Sequence, residues 1–212
     1  YLVPPIDDNS QNSIYLNKSM APSGLDLYTT LAHEGYPGHM YQTTYYQLYR
    51  EANNLPYLRS TLNYGGYVEG WALYVELLSY DYAADLLVED TGKEDYRLLF
   101  DIYKQERCAS LALLSLLDIG IHYYGMDLNR VTELLNAHGI TDTDTIRSTY
   151  EYIIEEPCNY PKYYWGNLEI LALKDLAKQE MGSSYSDYAF HQFFLECGPS
   201  DFTSLTERLK EE

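Results

Sequence analysis

Positive charge is what this chain has least of: 14 lysines and arginines stand against 32 aspartates and glutamates, a formal net charge of −18. Phosphate backbones and anionic bilayers reward clustered cations, so nucleic acid and membrane surfaces are set aside as partners. Cysteine is scarce too. Cys108, Cys158 and Cys197 are odd in number, far apart and without a CxxC pair, which argues against a disulfide framework and for isolated thiols. No apolar stretch approaches the roughly 20 residues needed to cross a bilayer, and Leu111 to Leu117 is too short. Alternating apolar and polar runs between hairpin signals are missing as well, so nothing demands a sheet beyond a short strand near Ser13 to Asn17. Internal repeats and low-complexity segments are absent.

What remains is a helix-forming chain. Its 212 residues, 46% hydrophobic, suffice for a single domain with a substantial core, and the expected fold class is all-α. Tyr1 to Ser23, with Pro4-Pro5, Asp7-Asp8-Asn9 and Gln11-Asn12, reads as an extended lead-in. Helical periodicity then runs from Leu27 to Arg50, interrupted at Pro37. Further helices are expected over about Val68 to Leu78, Asp95 to Tyr123, Asp127 to Gly139, Thr141 or Asp142 to Pro157, Tyr163 to Met181 and Ser186 to Glu196. A last helix is expected to be capped by Ser200. The 25 tyrosines are expected to line helix interfaces.

The chemistry concentrates in His33-Glu34-Gly35-Tyr36-Pro37-Gly38-His39 and in Glu69 of Tyr67-Val68-Glu69-Gly70-Trp71-Ala72-Leu73-Tyr74. Two imidazoles and a carboxylate are a common ligand set for catalytic zinc, leaving a fourth position for water, and a glutamate beside the first ligand can take that water's proton. The spacing is unusual. Metalloprotease histidines stand at i and i+4 on one helix face, whereas His33 and His39 lie six apart, about 240° out of phase. Pro37-Gly38 between them is therefore expected to kink or widen the helix by about two residues. Failing that, His39 would be a neighbour of the metal rather than a ligand. Glu76, two turns after Glu69 on the same face, reads as a carboxylate supporting the ligands or lying on the surface, rather than as a ligand.

These motifs resemble those of the bacterial family catalogued as domain of unknown function 885: a histidine-glutamate pair, two variable residues and Pro-Gly-His, then Glu-Gly-Trp-Ala-Leu-Tyr at Glu69 to Tyr74. The likeness continues in Asp118-Ile119-Gly120-Ile121-His122, in Tyr163 with Gly166, and in Phe190-His191 with Gly198. The resemblance implies a multi-helix, zincin-like metallopeptidase domain of the gluzincin type. Zinc would be held by His33, His39 and Glu69, with Glu34 as general base and His122, His191 and Tyr163 steadying the intermediate. It also implies that the chain is the C-terminal, metal-binding half of a longer protein, so that the missing N-terminal half is its partner. The lack of a leader at Tyr1 then says nothing of compartment. Leu111, Leu114 and Tyr152 depart from the family pattern, which has arginines there; Arg107, Arg147 and Lys162 are the basic residues that could replace them.

The expected function is hydrolysis of a peptide amide bond. Two other readings stand beside it: a non-peptide amide or ester hydrolase using the same zinc, and a helical binding domain in which the metal is only a staple. Glu34 favours catalysis, because a structural site is closed by four protein ligands and needs no base. Asp118 and His122 could alternatively brace two helices, and His191 is open to the same reading. His138, beside Gly139, is expected to complement a helix dipole.

Overall fold

Glycine and proline decide where the helices of this chain begin and end. The computed structural model describes residues 1–3, 8, 11–19 and 22–211. Most of the anticipated Pro4-Pro5 and Asp7-Asp8-Asn9 stretch therefore lies outside the described residues. The fold is all-α: α1 (Leu25–Glu34), α2 (His39–Ala52), α3 (Gly65–Thr91), α4 (Asp95–His122), α5 (Leu128–Ala137), α6 (Thr143–Glu155), α7 (Asn159–Glu180), α8 (Asp187–Cys197) and α9 (Phe202–Leu209). Short 3-10 turns occupy Tyr57–Thr61 and Gly182–Ser184. In place of the short strand there is a single antiparallel bridge, Leu2 to Ser13, and no strand among the described residues.

α3 takes in Gly65 and Gly66 instead of starting near Val68, and three other boundaries differ from expectation for a local reason. α3 runs on past Leu78 because no breaker occurs until Gly92, whose φ of 69° is the left-handed cap that a side chain resists. α7 starts at Asn159 rather than Tyr163, since Pro161 falls in its first turn, where its missing N–H costs nothing. The last helix is capped by Asp201, not Ser200: a carboxylate oxygen accepts from Ser204 N at 2.9 Å. Asp127 and Asp142 cap α5 and α6 as expected. No cysteine is bridged, and Cys197 is buried.

α3 is the axis of the molecule. Tyr67, Trp71, Leu73, Leu77 and Tyr80 are buried along it, and α1, α2, α4 and α7 pack around it. The closest approach is to α7 and is made by glycine. A methyl group on Gly70 would lie 2.5 Å from the Gly166 carbonyl carbon, and one on Gly166 would lie 2.3 Å from Gly66 O, distances no side chain tolerates. Backbone thus rests on backbone, which carries Lys162 and Tyr163 of α7 to the side of Glu69. Beneath this crossing Trp71, Phe190 and Phe194 form the main core; Leu117, Val131, Ile146 and Ile153 form another under α4, α5 and α6.

Gly166→Ala and Gly70→Ala should each lower unfolding free energy by about 1–3 kcal/mol through overpacking. Gly65→Ala, whose added carbon meets only the flexible Lys162 side chain at 3.3 Å, should cost far less. Urea denaturation of the three variants measures this; equal losses would refute the crossing as the tight point.

Candidate metal centre

α1 stops at Glu34 and α2 begins at His39, so the helix breaks outright between the histidines instead of widening. Two contacts hold the break: Pro37 O accepts the Trp71 indole N–H at 3.0 Å, and Tyr41 N donates to Gly35 O at 3.3 Å; the Tyr36-Pro37 peptide between them is cis. Gly38 is required there: a Cβ would sit 1.8 Å from His33 O. The break swings His39 back over the end of α1, leaving the two imidazoles edge to face with centroids 4.8 Å apart.

Glu69, on the first turns of α3, completes the cluster. One ligand atom each from His33, His39 and Glu69 lies within 4.8 Å of the others, with Glu69 Oε2 3.2 Å from His39 Nε2 and 3.7 Å from His33 Nε2. That carboxylate oxygen is buried, yet makes no hydrogen bond of acceptable geometry among the described residues. A buried oxygen facing two imidazole nitrogens without a hydrogen bond is costly unless a protonated imidazole or a metal cation balances it. The set of two nitrogens and one carboxylate suits zinc. Lys162 Nζ, 3.6 Å from Glu69 Oε1, occupies the other oxygen.

Charge around His33 is arranged from behind. Its Nδ1 donates to Glu76 Oε2 at 2.8 Å, and Arg107 Nε donates to Glu76 Oε1 at 2.7 Å. Glu69 and Glu76 are seven residues apart, nearly in phase on α3, so one helix face addresses both nitrogens of one ring. Burial by itself would push the His33 imidazole down; the carboxylates of Glu69 and Glu76 override it and push it up to about 9. Burial likewise favours the neutral form of Glu69, but His33, His39 and Lys162 hold it far below the usual carboxylate range. Glu76 is held low by His33 and Arg107 against its own burial.

His33, Glu34, Glu76, Arg107 and Tyr163 line a cavity of about 510 Å³ beside the cluster. Glu34 is the last residue of α1 and lines this cavity. The Tyr163 ring stacks on His33 with centroids 6.1 Å apart. Burial and the neighbouring Glu69 raise its pKa, so the phenol keeps its proton and can donate. Of the basic residues considered for substrate binding, Arg107 faces this cavity but is engaged by Glu76. Lys162 reaches Glu69, and Arg147 lies exposed on α6, 4.0 Å from Glu151. Leu111 and Tyr152 line the cavity, as an apolar and a phenolic group where arginine was expected.

Two expected participants are elsewhere. His122 Nε2 donates to Ile153 O at 2.8 Å, and the buried Asp118 accepts Cys158 N at 3.1 Å, so this pair braces α4 against the ends of α6 and α7. His191 hydrogen-bonds Tyr74 and lines a different cavity on the far side of α3. Neither lines the cavity beside His33. His138 donates from Nδ1 to Leu134 O at the end of α5. Lys174, which contacts Tyr74 from a hundred residues away, was invisible in the sequence because no spacing rule spans such a separation.

No curated protein matches the chain. The crystal structure of a protein from Colwellia psychrerythraea, described as a putative lipoprotein, superposes with a TM-score of 0.65 at 25% sequence identity, covering 88% of this chain and 30% of that one. The chain thus spans under a third of that protein's length. Its motif pairing, its helical fold and the match over residues 1–209 agree: the chain belongs to the family described as bacterial protein of unknown function (DUF885).

Proposed function

We propose that residues 1–212 carry the metal centre of a zinc-dependent hydrolase of the gluzincin type, acting on peptide amide bonds, within a longer protein. The observation that carries this reading is the convergence of His33, His39 and an orphaned Glu69 oxygen beside an open cavity. Among the described residues no fourth protein ligand closes the set, which favours a catalytic over a structural metal. Zinc, when bound, supplies Lewis acidity toward a carbonyl and acidifies a water.

The chain's own groups supply the rest. Glu34, adjacent to His33 and facing the cavity, takes a proton from the attacking water and returns it to the leaving amine. Tyr163, kept protonated, donates a hydrogen bond to the oxygen on which charge develops. Glu76 orients His33 by accepting its Nδ1 proton, and Arg107 keeps Glu76 ionised. His122 and His191 take no part in this scheme.

The purified chain should bind about one zinc, and Glu69→Gln or His33→Ala should abolish it; full retention in both would sink the assignment. Glu76→Gln should weaken zinc binding by about 10- to 100-fold, the usual cost of losing a carboxylate behind a metal-bound histidine. His122→Gln should leave zinc affinity unchanged. Competition titration against a chromogenic chelator reads both.

Catalysis belongs to the full-length protein. There Glu34→Gln should keep the zinc and lower peptide hydrolysis by about 10² to 10⁴, as expected for removal of a positioned base. Unchanged turnover would exclude Glu34. Activity confined to small amides or esters would replace the substrate class while leaving the centre in place.

A further inference from the structure

Glu69 gives its two oxygens to different neighbours. Its closest contact with each imidazole is made by Oε2, 3.2 Å from His39 Nε2 and 3.7 Å from His33 Nε2, whereas its closest contact with Lys162 is made by Oε1, 3.6 Å from Nζ. A carboxylate can offer a metal one oxygen or both, and offering both requires it to turn until the two face the ion together. Here the imidazoles face one oxygen and the ammonium the other, which opposes that turn.

The Lys162 side chain is packed into this position. It leaves α7 one turn before Gly166, where the two backbones touch, and its stem lies across the first turn of α3: a methyl group added to Gly65 would meet its Cβ at 3.3 Å and its Cδ at 3.5 Å. Its Nζ stands over the Tyr163 ring, 5.2 Å from the centroid, a favourable seat for an ammonium. The side chain is 33% exposed, so it is neither free in solvent nor sealed from it. Among the described residues Glu69 is its one ion-pair partner, and the charge is not shared with a second carboxylate.

We propose that Lys162 is a positioning residue of the metal centre: by engaging Oε1 it keeps Glu69 a one-oxygen ligand. Three protein ligands giving one atom each leave zinc able to take both a water and a substrate carbonyl, and a second Glu69 oxygen would use up one of those positions. An ammonium suits the task, because it only donates and cannot itself ligate the ion. Its charge opposes that of the metal, so Lys162 serves the open position at the expense of metal affinity. This rests on the reading of the centre as a zinc hydrolase, and the two fail differently.

Cobalt(II) in place of zinc reads the coordination number, since its visible bands are strong when four-coordinate and weaken as further ligands bind. The wild-type chain loaded with about one cobalt should show the strong bands. Lys162→Met should keep that loading, lose band intensity as the second oxygen binds, and hold zinc at least as tightly as the wild type in chelator competition. Loss of a merely supporting group would instead weaken zinc and leave the bands alone. Lys162→Arg, which restores the charge, should restore the bands. Lys162→Leu, checked for native circular dichroism, repeats the loss should the methionine variant misfold. Unchanged bands in both apolar variants at full loading, weak bands already in the wild type, or bands in Lys162→Arg as weak as in Lys162→Met would each overturn the role of Lys162. Failure of the wild-type chain to bind cobalt or zinc would overturn the metal reading and this inference with it.

Discussion

The backbone-to-backbone contact between α3 and α7 is the constraint on which the rest of this structure depends. Gly70 and Gly166 surrender side chains so that two long helices can touch, Gly166 resting on the Gly66 backbone, and the gain is positional. Glu69 is one residue from Gly70, and Lys162 and Tyr163 stand four and three residues before Gly166, so the tight crossing sets the distance between a carboxylate, an ammonium and a phenol. Three glycines early in or within helices lower helix propensity by roughly 1 kcal/mol each. Packing must offset that, and the buried tyrosine, tryptophan and phenylalanine side chains beneath the crossing are the means.

A chain so rich in acid has to keep its carboxylates apart or give them partners. At the candidate centre it does the second. Glu69 and Glu76 grip His33 from opposite nitrogens, with Lys162 and Arg107 placed behind each of them. The alternation of negative and positive groups keeps both carboxylates ionised despite burial and aims one imidazole nitrogen at Glu69 and His39. A divalent cation there would replace the proton that these carboxylates now hold on His33.

α3 also separates two environments. One face presents carboxylates to a polar cavity; the other presents Trp71, Val75 and Leu78 to an apolar one. Pro37 ties them together, since its carbonyl is held by Trp71 while its flanking residues aim His39. Tyrosines expected at helix interfaces divide accordingly: Tyr67, Tyr74 and Tyr80 are buried, whereas Tyr36, Tyr82 and Tyr188 lie on the rim of the apolar cavity.

Much of this was legible in the residue order because its causes are local. Helical periodicity, the aspartate caps of α5 and α6 and the pairing of His33 and His39 with Glu69 each follow from a few neighbouring side chains. The six-residue spacing announced a departure from regular helix at Pro37-Gly38, expected as a kink or widening; the structure instead ends one helix and starts another there. Other features were decided only when the chain closed on itself. Nothing in the spacing of Asp118 and His122, or of Phe190 and His191, says which helix each imidazole meets, and the two rings are engaged by a carbonyl on α6 and a phenol on α3, apart from His33, His39 and Glu69. Arg107 reads as a free cation until packing sets it on Glu76, 31 residues distant. A spacing rule reaches one or two helical turns; beyond that, which groups meet is fixed by how helices cross, and here the crossing was set by the space that the missing side chains of Gly70 and Gly166 left open.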